Sequence, residues 1–556
     1  SAMRTLGVVL LASLTLCVSA KPPHIIHILA DDLGWAELGY HRNDPPGSKE
    51  VMTPSIDSLV KTGIELDQHY VHTICSPSRC AIQTGRYPIH VNVQNVLPES
   101  TNDKDQEGGY AGIPMNMTGM ASVLKKAGYQ TNIVGKWDVG MARPELSPRA
   151  RGYDNWFGYW HHSNDYWSFL ADDSKCPSGL SSKKLLDLWR QNETFDGPLP
   201  ELLNGPNCSQ ENQKPEGERC VYEEKLFTDE VKRIISTHDQ STPLFLFWSM
   251  HLVHMPLEVP QEYLDKFPDI DNDKRRLMHA MVNYMDTDVG QVVDLLHTTG
   301  MWNDTLVVFH ADNGGEILDS ICGGNNWPLR GGKFANWQGG IRVNAWVNGG
   351  VVPETQRGTK LQGLAAGWDW YATYAGLAGV DPTDHQAAAS NLPPIDSIDL
   401  WPYLSGAQPT SPRQELVIGD TNALLPNGDG KTLVGGLIQG DWKLLVGAPD
   451  KLYTLDQDVR TGPSWPNQSS HIIPLIHKHT CGIKPERGCL FNITADPYEM
   501  QSVAKEHEDV FYQMLDRVHA LQKTVYSPNR GKVNPAACSV AETKYGGFWG
   551  PFEDLA

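Results

Sequence analysis

The sequence is short of positive charge, of zinc-type ligand spacings and of long apolar runs. Its 556 residues carry 46 Lys and Arg against 66 Asp and Glu, a formal net charge of -20 at pH 7. That balance excludes broad binding to nucleic acid or to an anionic membrane surface, because a phosphate-rich partner would be repelled over most of the protein. A small anion remains admissible in a local positive pocket. No HExxH or CxxC occurs, which removes the common histidine- and cysteine-based zinc sites. Beyond residue 20 no segment supplies the roughly 20 apolar residues that span a bilayer, so no transmembrane segment is expected. Internal repeats and long low-complexity tracts are absent too.

What is present begins with an export pattern. Met3 to Ala20, "MRTLGVVLLASLTLCVSA", joins an early arginine, an apolar run and the small-residue exit Val18-Ser19-Ala20, as a cleaved signal peptide does. Ser1-Ala2 ahead of it read as a cloning remnant. Six Asn-x-Ser/Thr sequons, at Asn116, Asn192, Asn207, Asn303, Asn467 and Asn492, fit the same compartment. The expectation is a soluble glycoprotein of the secretory pathway, extracellular or lysosomal, with no pattern that sets its oligomeric state. Of ten cysteines, Cys17 leaves with the leader, and Cys75, Cys80, Cys176, Cys208, Cys220, Cys322, Cys481, Cys489 and Cys538 remain. An odd number in an oxidising compartment leaves at least one sulfur unpaired. With Cys75 set apart, the others allow up to four bridges, and Cys208 with Cys220 and Cys481 with Cys489 are near neighbours.

The length predicts one large domain and a smaller one. Short apolar runs, "HIIHILA" (His24–Ala30), "QTNIVG" (Gln130–Gly135), "PLFLFWSM" (Pro243–Met250) and "TLVVFHA" (Thr305–Ala311), alternate with amphipathic stretches at Met117–Gly128 and Arg275–Gly300. That alternation predicts an α/β fold with a mostly parallel sheet flanked by helices. After a Pro/Ser-rich stretch at Gly406–Arg413 the pattern changes. "LVGGLIQGDWKLLVG" (Leu433–Gly447) and "KLYTL" (Lys451–Leu455) read as antiparallel strands. The expected division is leader 1–20, catalytic domain 21–410 and a C-terminal α+β subdomain 411–556.

In parallel sheets, ligand-binding residues gather just past the carboxyl ends of strands. Asp31-Asp32, Lys136 and Asp312-Asn313 follow three of these strands at once, and His254 follows the fourth after a short interval. Each group has a plain structural reading: a helix cap or turn for the acidic pairs, ordinary packing for the histidine. Taken together they offer three carboxylates and an amide oxygen, a donor set for Ca²⁺ or Mg²⁺. Arg79, Lys136 and Lys333 around such an ion would make a pocket for a tetrahedral anion.

The segment "CSPSRCAIQTG" (Cys75–Gly85) resembles the sulfatase signature, Cys-x-Pro-Ser-Arg followed after four residues by Thr-Gly. "ILADDLGW", "TPSIDSLVKTGI", "GYQTNIVGKW", "ADNGGE", "NNWPLRGGKFANWQGGIR" and "GCLFNITADPYE" resemble the same family in order and spacing. The resemblance runs from about His24 to about residue 525 and is nearest the arylsulfatase B, N-acetylgalactosamine-4-sulfatase type. It implies an alkaline-phosphatase-like sandwich with one bound Ca²⁺. It also implies oxidation of Cys75 to formylglycine by the formylglycine-generating enzyme. Carried over by motif, Asp31, Asp32, Cys75, Asp312 and Asn313 surround the metal. Cys75 becomes the nucleophile, Arg79 stabilises it, and Lys136, His254 and Lys333 bind sulfate or assist the leaving group.

The implied substrate is a sulfated carbohydrate or aryl sulfate. Sulfate monoesters hydrolyse slowly, and an aldehyde hydrate has two hydroxyls: one attacks sulfur, the other expels sulfate as the carbonyl reforms. One position departs from the family pattern. Relatives read Gly-Lys-Trp-His-Leu-Gly where this chain has "GKWDVG", placing Asp138 where a histidine takes a proton. Gln338 also stands where relatives often carry Glu. Two other readings follow: a phosphate or phosphonate ester hydrolase of the same fold, and a catalytically impaired homologue that binds sulfated glycans.

Overall fold

A computed structural model describes residues 21–42, 50–171, 184–317, 322–421, 432–448, 451–452, 455–456, 461–466 and 481–553. The expected leader at residues 1–20, Asn467 and Cys176 lie outside them. Ten strands form the main sheet: β1 (His24–Ala30), β2 (Ile64–Leu66), β3 (Gln130–Lys136), β4 (Asn155–Tyr159), β5 (Trp189–Gln191), β6 (Asp196–Pro198), β7 (Leu244–Ser249), β8 (Thr305–Ala311), β9 (Ala345–Asn348) and β10 (Thr359–Leu361). Their spatial order is β10-β2-β9-β8-β1-β7-β3-β4-β5-β6. The five in the middle, β8, β1, β7, β3 and β4, run parallel, and the antiparallel pairings lie outside them.

The central strands are buried and rich in apolar residues because both faces are covered. Ile25, Leu29, Leu306 and Val308 point into one core. Ile26, Ile28, Val307 and Phe309 point into the other. Helices α1 (Pro54–Thr62), α3 (Glu223–Thr237) and α4 (Asp273–Thr298) close the second face with Ile56, Phe227, Val231 and Met281. Helices α2 (Cys75–Thr84) and α5 (Trp370–Ala378) lie on the first, with Ile82, Trp370 and Tyr374. Each fully buried side chain of this size contributes about 1.5–3 kcal/mol. Helix α4 starts where the side chain of Asn272 accepts from the backbone N–H groups of Lys274 and Arg275.

The strand expectations hold at β1, β3, β7 and β8. The expected helix at Met117–Gly128 is shorter, Met120–Lys125, because Gly119 precedes it in extended conformation. The chain closes with a four-stranded antiparallel sheet, β11 (Glu415–Thr421), β12 (Thr432–Gln439), β13 (Trp442–Leu445) and β14 (Cys489–Asn492). Helix α6 (Glu508–Gln522) packs Phe511, Met514 and Val518 into the same core as the first face of the main sheet. Within "KLYTL", Lys451–Leu452 pairs antiparallel with Leu455–Asp456 in a separate two-stranded ladder, and Tyr453 and Thr454 lie outside the described residues.

Cys208–Cys220 and Cys481–Cys489 are bridged, and Cys538 is also disulfide-bonded. Cys75, Cys80 and Cys322 are free and buried, so the expectation of up to four bridges falls to three at most. Cys80 is held inside helix α2, where its sulfur lies 3.6 Å from Asn92 Nδ2. Asn207 and Asn303 are exposed, while Asn116, Asn192 and Asn492 are half-buried. No described helix is long and apolar enough to cross a membrane.

Just past β4, His161 Nδ1 lies 2.9 Å from Asp187 Oδ2 and Nε2 lies 3.3 Å from Glu99 Oε2, all three side chains being fully buried. Desolvation favours the neutral ring, yet the two carboxylates outweigh it and lift the group from 6.5 to about 10. A raised folded-state value contributes stability that is complete below about 6.5 and is lost as pH rises through about 10. The stability difference between the wild type and His161→Gln, read from denaturant unfolding, should therefore shrink between about pH 6.5 and pH 10. A difference that stays constant contradicts the ion triad.

Candidate active site

The five parallel strands deliver their carboxyl ends to one edge of the sheet. Asp31 and Asp32 follow β1, Lys136 ends β3, Ser249 ends β7 and Asp312 and Asn313 follow β8. Backbone bonds lock the edge: Asp31 N–H donates to Leu252 O at 2.8 Å, Val253 N–H to Asp31 O at 2.7 Å, and Asp312 N–H to Ala30 O at 3.0 Å. Gly314 allows the Asp-Asn-Gly-Gly turn to lie on Gln338–Ile341, since a Cβ there would sit 1.7 Å from Gly339 O.

Helix α2 begins at Cys75 and every one of its residues is buried. Ser78 fixes the entry, its Oγ accepting from His72 N–H at 2.9 Å and donating to His72 O at 3.1 Å. Pro77 falls in the first turn, where its missing N–H removes no intrahelical bond. Gly85, at φ 66°, ends the helix in the left-handed conformation. The positive end of the helix therefore points with Cys75 into the site, which favours negative charge developing there.

Around Cys75 the charges alternate. Its Sγ lies 3.5 Å from Asp31 Oδ1 and 3.9 Å from Asp32 Oδ1. Lys136 Nζ donates to Asp31 Oδ2 at 2.7 Å. Arg79 bonds Asp312 Oδ2 through Nε at 2.9 Å and Ser249 Oγ through Nη1 at 2.6 Å, with Asp31 at 3.3 Å. Lys333 Nζ donates to Asp32 Oδ2 at 2.6 Å, with His254 Nε2 at 3.1 Å and Glu316 Oε2 at 3.5 Å. Asp31, Asp32, Cys75, Arg79, Lys136, His254, Asp312 and Lys333, all singled out in the sequence, are therefore brought together.

Desolvation works against ionised carboxylates, but Lys136 and Arg79 hold Asp31 below the usual range, and Lys333 with His254 does so for Asp32. Asp312 is pushed up by burial and by Asp31. Burial pushes the Cys75 thiol well above its ordinary value in spite of Lys136 and Lys333.

The donor set fits a hard cation. Asp31, Asp32, Cys75 and His254 offer atoms within 4.8 Å of one another. Asn313 Nδ2 donates to Asp32 Oδ1 at 2.7 Å, while its Oδ1 is buried without a hydrogen-bond partner. Three carboxylates and a free amide oxygen are the oxygen donors that a hard cation takes.

Asp138 stands at φ 54° just past β3. Its Oδ1 lies 2.7 Å from His162 Nδ1 and accepts from Ser76 Oγ at 2.9 Å; its Oδ2 is 3.9 Å from Lys136 Nζ. Sequence reasoning missed Ser76, Ser249, Glu316 and His162. His162 follows β4, the fifth parallel strand, so reading "NWFGY" as a strand would have placed this histidine at the same edge as the others.

The sulfatase family profile matches residues 23–380. Arylsulfatase J of Mus musculus is 31% identical over 549 residues, covering 95% of this chain and 80% of that protein. N-acetylgalactosamine-6-sulfatase of Mus musculus is 29% identical over 394 residues, covering 70% and 67% respectively. Among solved structures, Ps i-CgsB superposes with a TM-score of 0.67 at 24% identity, covering 94% of this chain and 98% of that one. The edge that gathers Cys75, its carboxylates and its cations thus lies within the matched span, and the chain belongs to the sulfatase family of sulfuric ester hydrolases.

Proposed function

We propose that this protein releases inorganic sulfate from a sulfated carbohydrate or an aryl sulfate, using Ca²⁺ and a formylglycine made from Cys75. The observation that carries the reading is the meeting of Arg79, Lys136 and Lys333 with three carboxylates around Cys75 at a helix N-terminus. A sulfated amino-sugar glycan is supported as a substrate class by the similarity to an N-acetylgalactosamine-6-sulfatase.

The state of Cys75 supports its modification. A thiol whose burial holds it well above its ordinary value stays protonated and is a poor nucleophile. Formylglycine at this position, made by the formylglycine-generating enzyme during passage through the secretory pathway, supplies two hydroxyls on one carbon. Asp31, Asp32, Asp312 and Asn313 would hold Ca²⁺, which would supply positive charge and raise the acidity of a hydroxyl at residue 75.

The chain's own groups then divide the remaining work. Arg79 holds the helix start and Asp312 in register through Nε and Nη2. Lys136 and Lys333 bring positive charge to the sulfate oxygens, where a dry pocket makes each contact count for more than in water. Asp312 would take the proton of the attacking hydroxyl. His254, with its Nδ1 engaged by Met255 O at 2.6 Å and its Nε2 facing Lys333, would act with that lysine to protonate the leaving alcohol.

Release of sulfate and of phosphate from matched aryl esters tests the reading, and sulfate turnover should exceed phosphate turnover. The reverse order would establish a phosphate or phosphonate ester hydrolase and overturn it. A release screen over defined sulfated saccharides then identifies the sugar and position. For the metal, Asp32→Ala should weaken Ca²⁺ binding, measured by calorimetry, by about a hundredfold or more. Unchanged Ca²⁺ affinity in that variant removes the metal assignment.

A further inference from the structure

Sulfate release leaves a proton to be taken at residue 75, and the residue facing that task here is an aspartate. A lone buried carboxylate beside an anionic group is badly placed for it, because it adds negative charge and its direction is free. The direction of Asp138 is not free, and Lys136 lies beside its charge. Its Oδ1 is engaged by His162 Nδ1 at 2.7 Å and Ser76 Oγ at 2.9 Å. Ser76 is the neighbour of Cys75 on helix α2, so this contact joins the carboxylate to the element that carries the nucleophile. Its Oδ2 is buried and makes no hydrogen bond. That atom lies 3.9 Å from Lys136 Nζ, which in turn bonds Asp31 Oδ2 at 2.7 Å, and Asp31 Oδ1 is 3.5 Å from Cys75 Sγ. One oxygen is thus tied down, and the other is left without a hydrogen bond beside Lys136, the lysine that reaches Asp31 next to Cys75.

We propose that Asp138 and His162 act as one proton-accepting pair, Asp138 Oδ2 receiving the proton given up at residue 75 and His162 serving as the positioning residue that holds Oδ1. The inference rests on the sulfatase reading above. The proton comes off an oxygen carried by residue 75, and the electron pair left behind closes the carbonyl. The C–O pair departs with sulfate, and Asp138 holds the proton as a carboxylic acid.

The chemistry of the partners fixes the hydrogen between them. An ionised carboxylate can only accept, so His162 Nδ1 carries the hydrogen. Desolvation opposes ionisation of Asp138, but His162 and Lys136 outweigh it and hold the carboxyl well below its usual range. His162 Nε2 is buried and has no hydrogen-bond partner, so Asp138 and Ser76, whose Oγ is 3.3 Å from Nδ1, are the polar groups that orient the ring. The arrangement is the ordinary Asp–His contact with its ends exchanged: the carboxylate faces the chemistry and the imidazole stands behind it. β3 supplies one partner and β4 the other, which is why two adjacent parallel strands suffice to build the pair.

Two readouts test the pair. The first needs no turnover: nitrogen NMR of histidine-labelled wild-type protein, with the signal of residue 162 assigned by its loss in His162→Ala, should show the Nδ1–H tautomer. An Nε2–H tautomer overturns the proposal. The second is kinetic, on protein whose formylglycine content is confirmed by mass spectrometry. His162→Ala should lower kcat by about tenfold or more with little change in KM, within the range for a positioned proton acceptor. His162→Asn, whose side-chain N–H can replace Nδ1–H, should recover most of that loss. Equal kcat in wild type and His162→Ala, or no recovery in His162→Asn, overturns the positioning role. If the modified wild type releases no sulfate from any ester, it is the sulfatase reading that fails, and the tautomer still decides the pair.

Discussion

The constraint on which the structure turns is charge balance in a dry pocket. Asp31, Asp32 and Asp312 are almost wholly buried, as are Arg79, Lys136 and Lys333. Isolated charges in such surroundings would cost several kcal/mol each. They persist because each carboxylate meets a cation within hydrogen-bonding distance. A parallel sheet brings this about with little chain, because five strands end on one edge and each contributes a residue or two. The same balance leaves room for added anionic character at residue 75, where the helix N-terminus and the lysines face it.

Much of this was legible from the sequence because the site residues sit where hydrophobic runs stop. Asp31-Asp32, Lys136 and Asp312-Asn313 each follow an apolar strand, and the structure puts all of them within one cluster. The runs at His24–Ala30 and Thr305–Ala311 coincide with β1 and β8 residue for residue. What escaped did so for physical reasons. "NWFGY" is aromatic with a penultimate glycine and does not read as an aliphatic strand, yet it pairs in parallel with β3, and missing it hid His162. "CSPSRCAIQTG" has the proline and serines of a turn, and its helix is set by the contacts of Ser78 with His72 and by burial rather than by propensity. Cys80 and Cys322 remain unpaired because their side chains are enclosed in the fold, which residue counting does not show.

The departure at position 138 is also clearer in three dimensions. Read along the chain, aspartate in place of histidine removes an imidazole from the site. In the structure an imidazole stands 2.7 Å behind that aspartate, brought there by the next strand of the sheet. The substitution and His162 are two halves of one arrangement, with Lys136 and Ser76 completing its surroundings.

The central claim is that Cys75 does not act as a thiol. Mass spectrometry of the peptide spanning Cys75, taken from active protein, tests it most directly. The account predicts the mass of formylglycine or its hydrate at position 75. An unmodified thiol, or a disulfide from Cys75 to Cys80, in protein that turns over sulfate esters would contradict it.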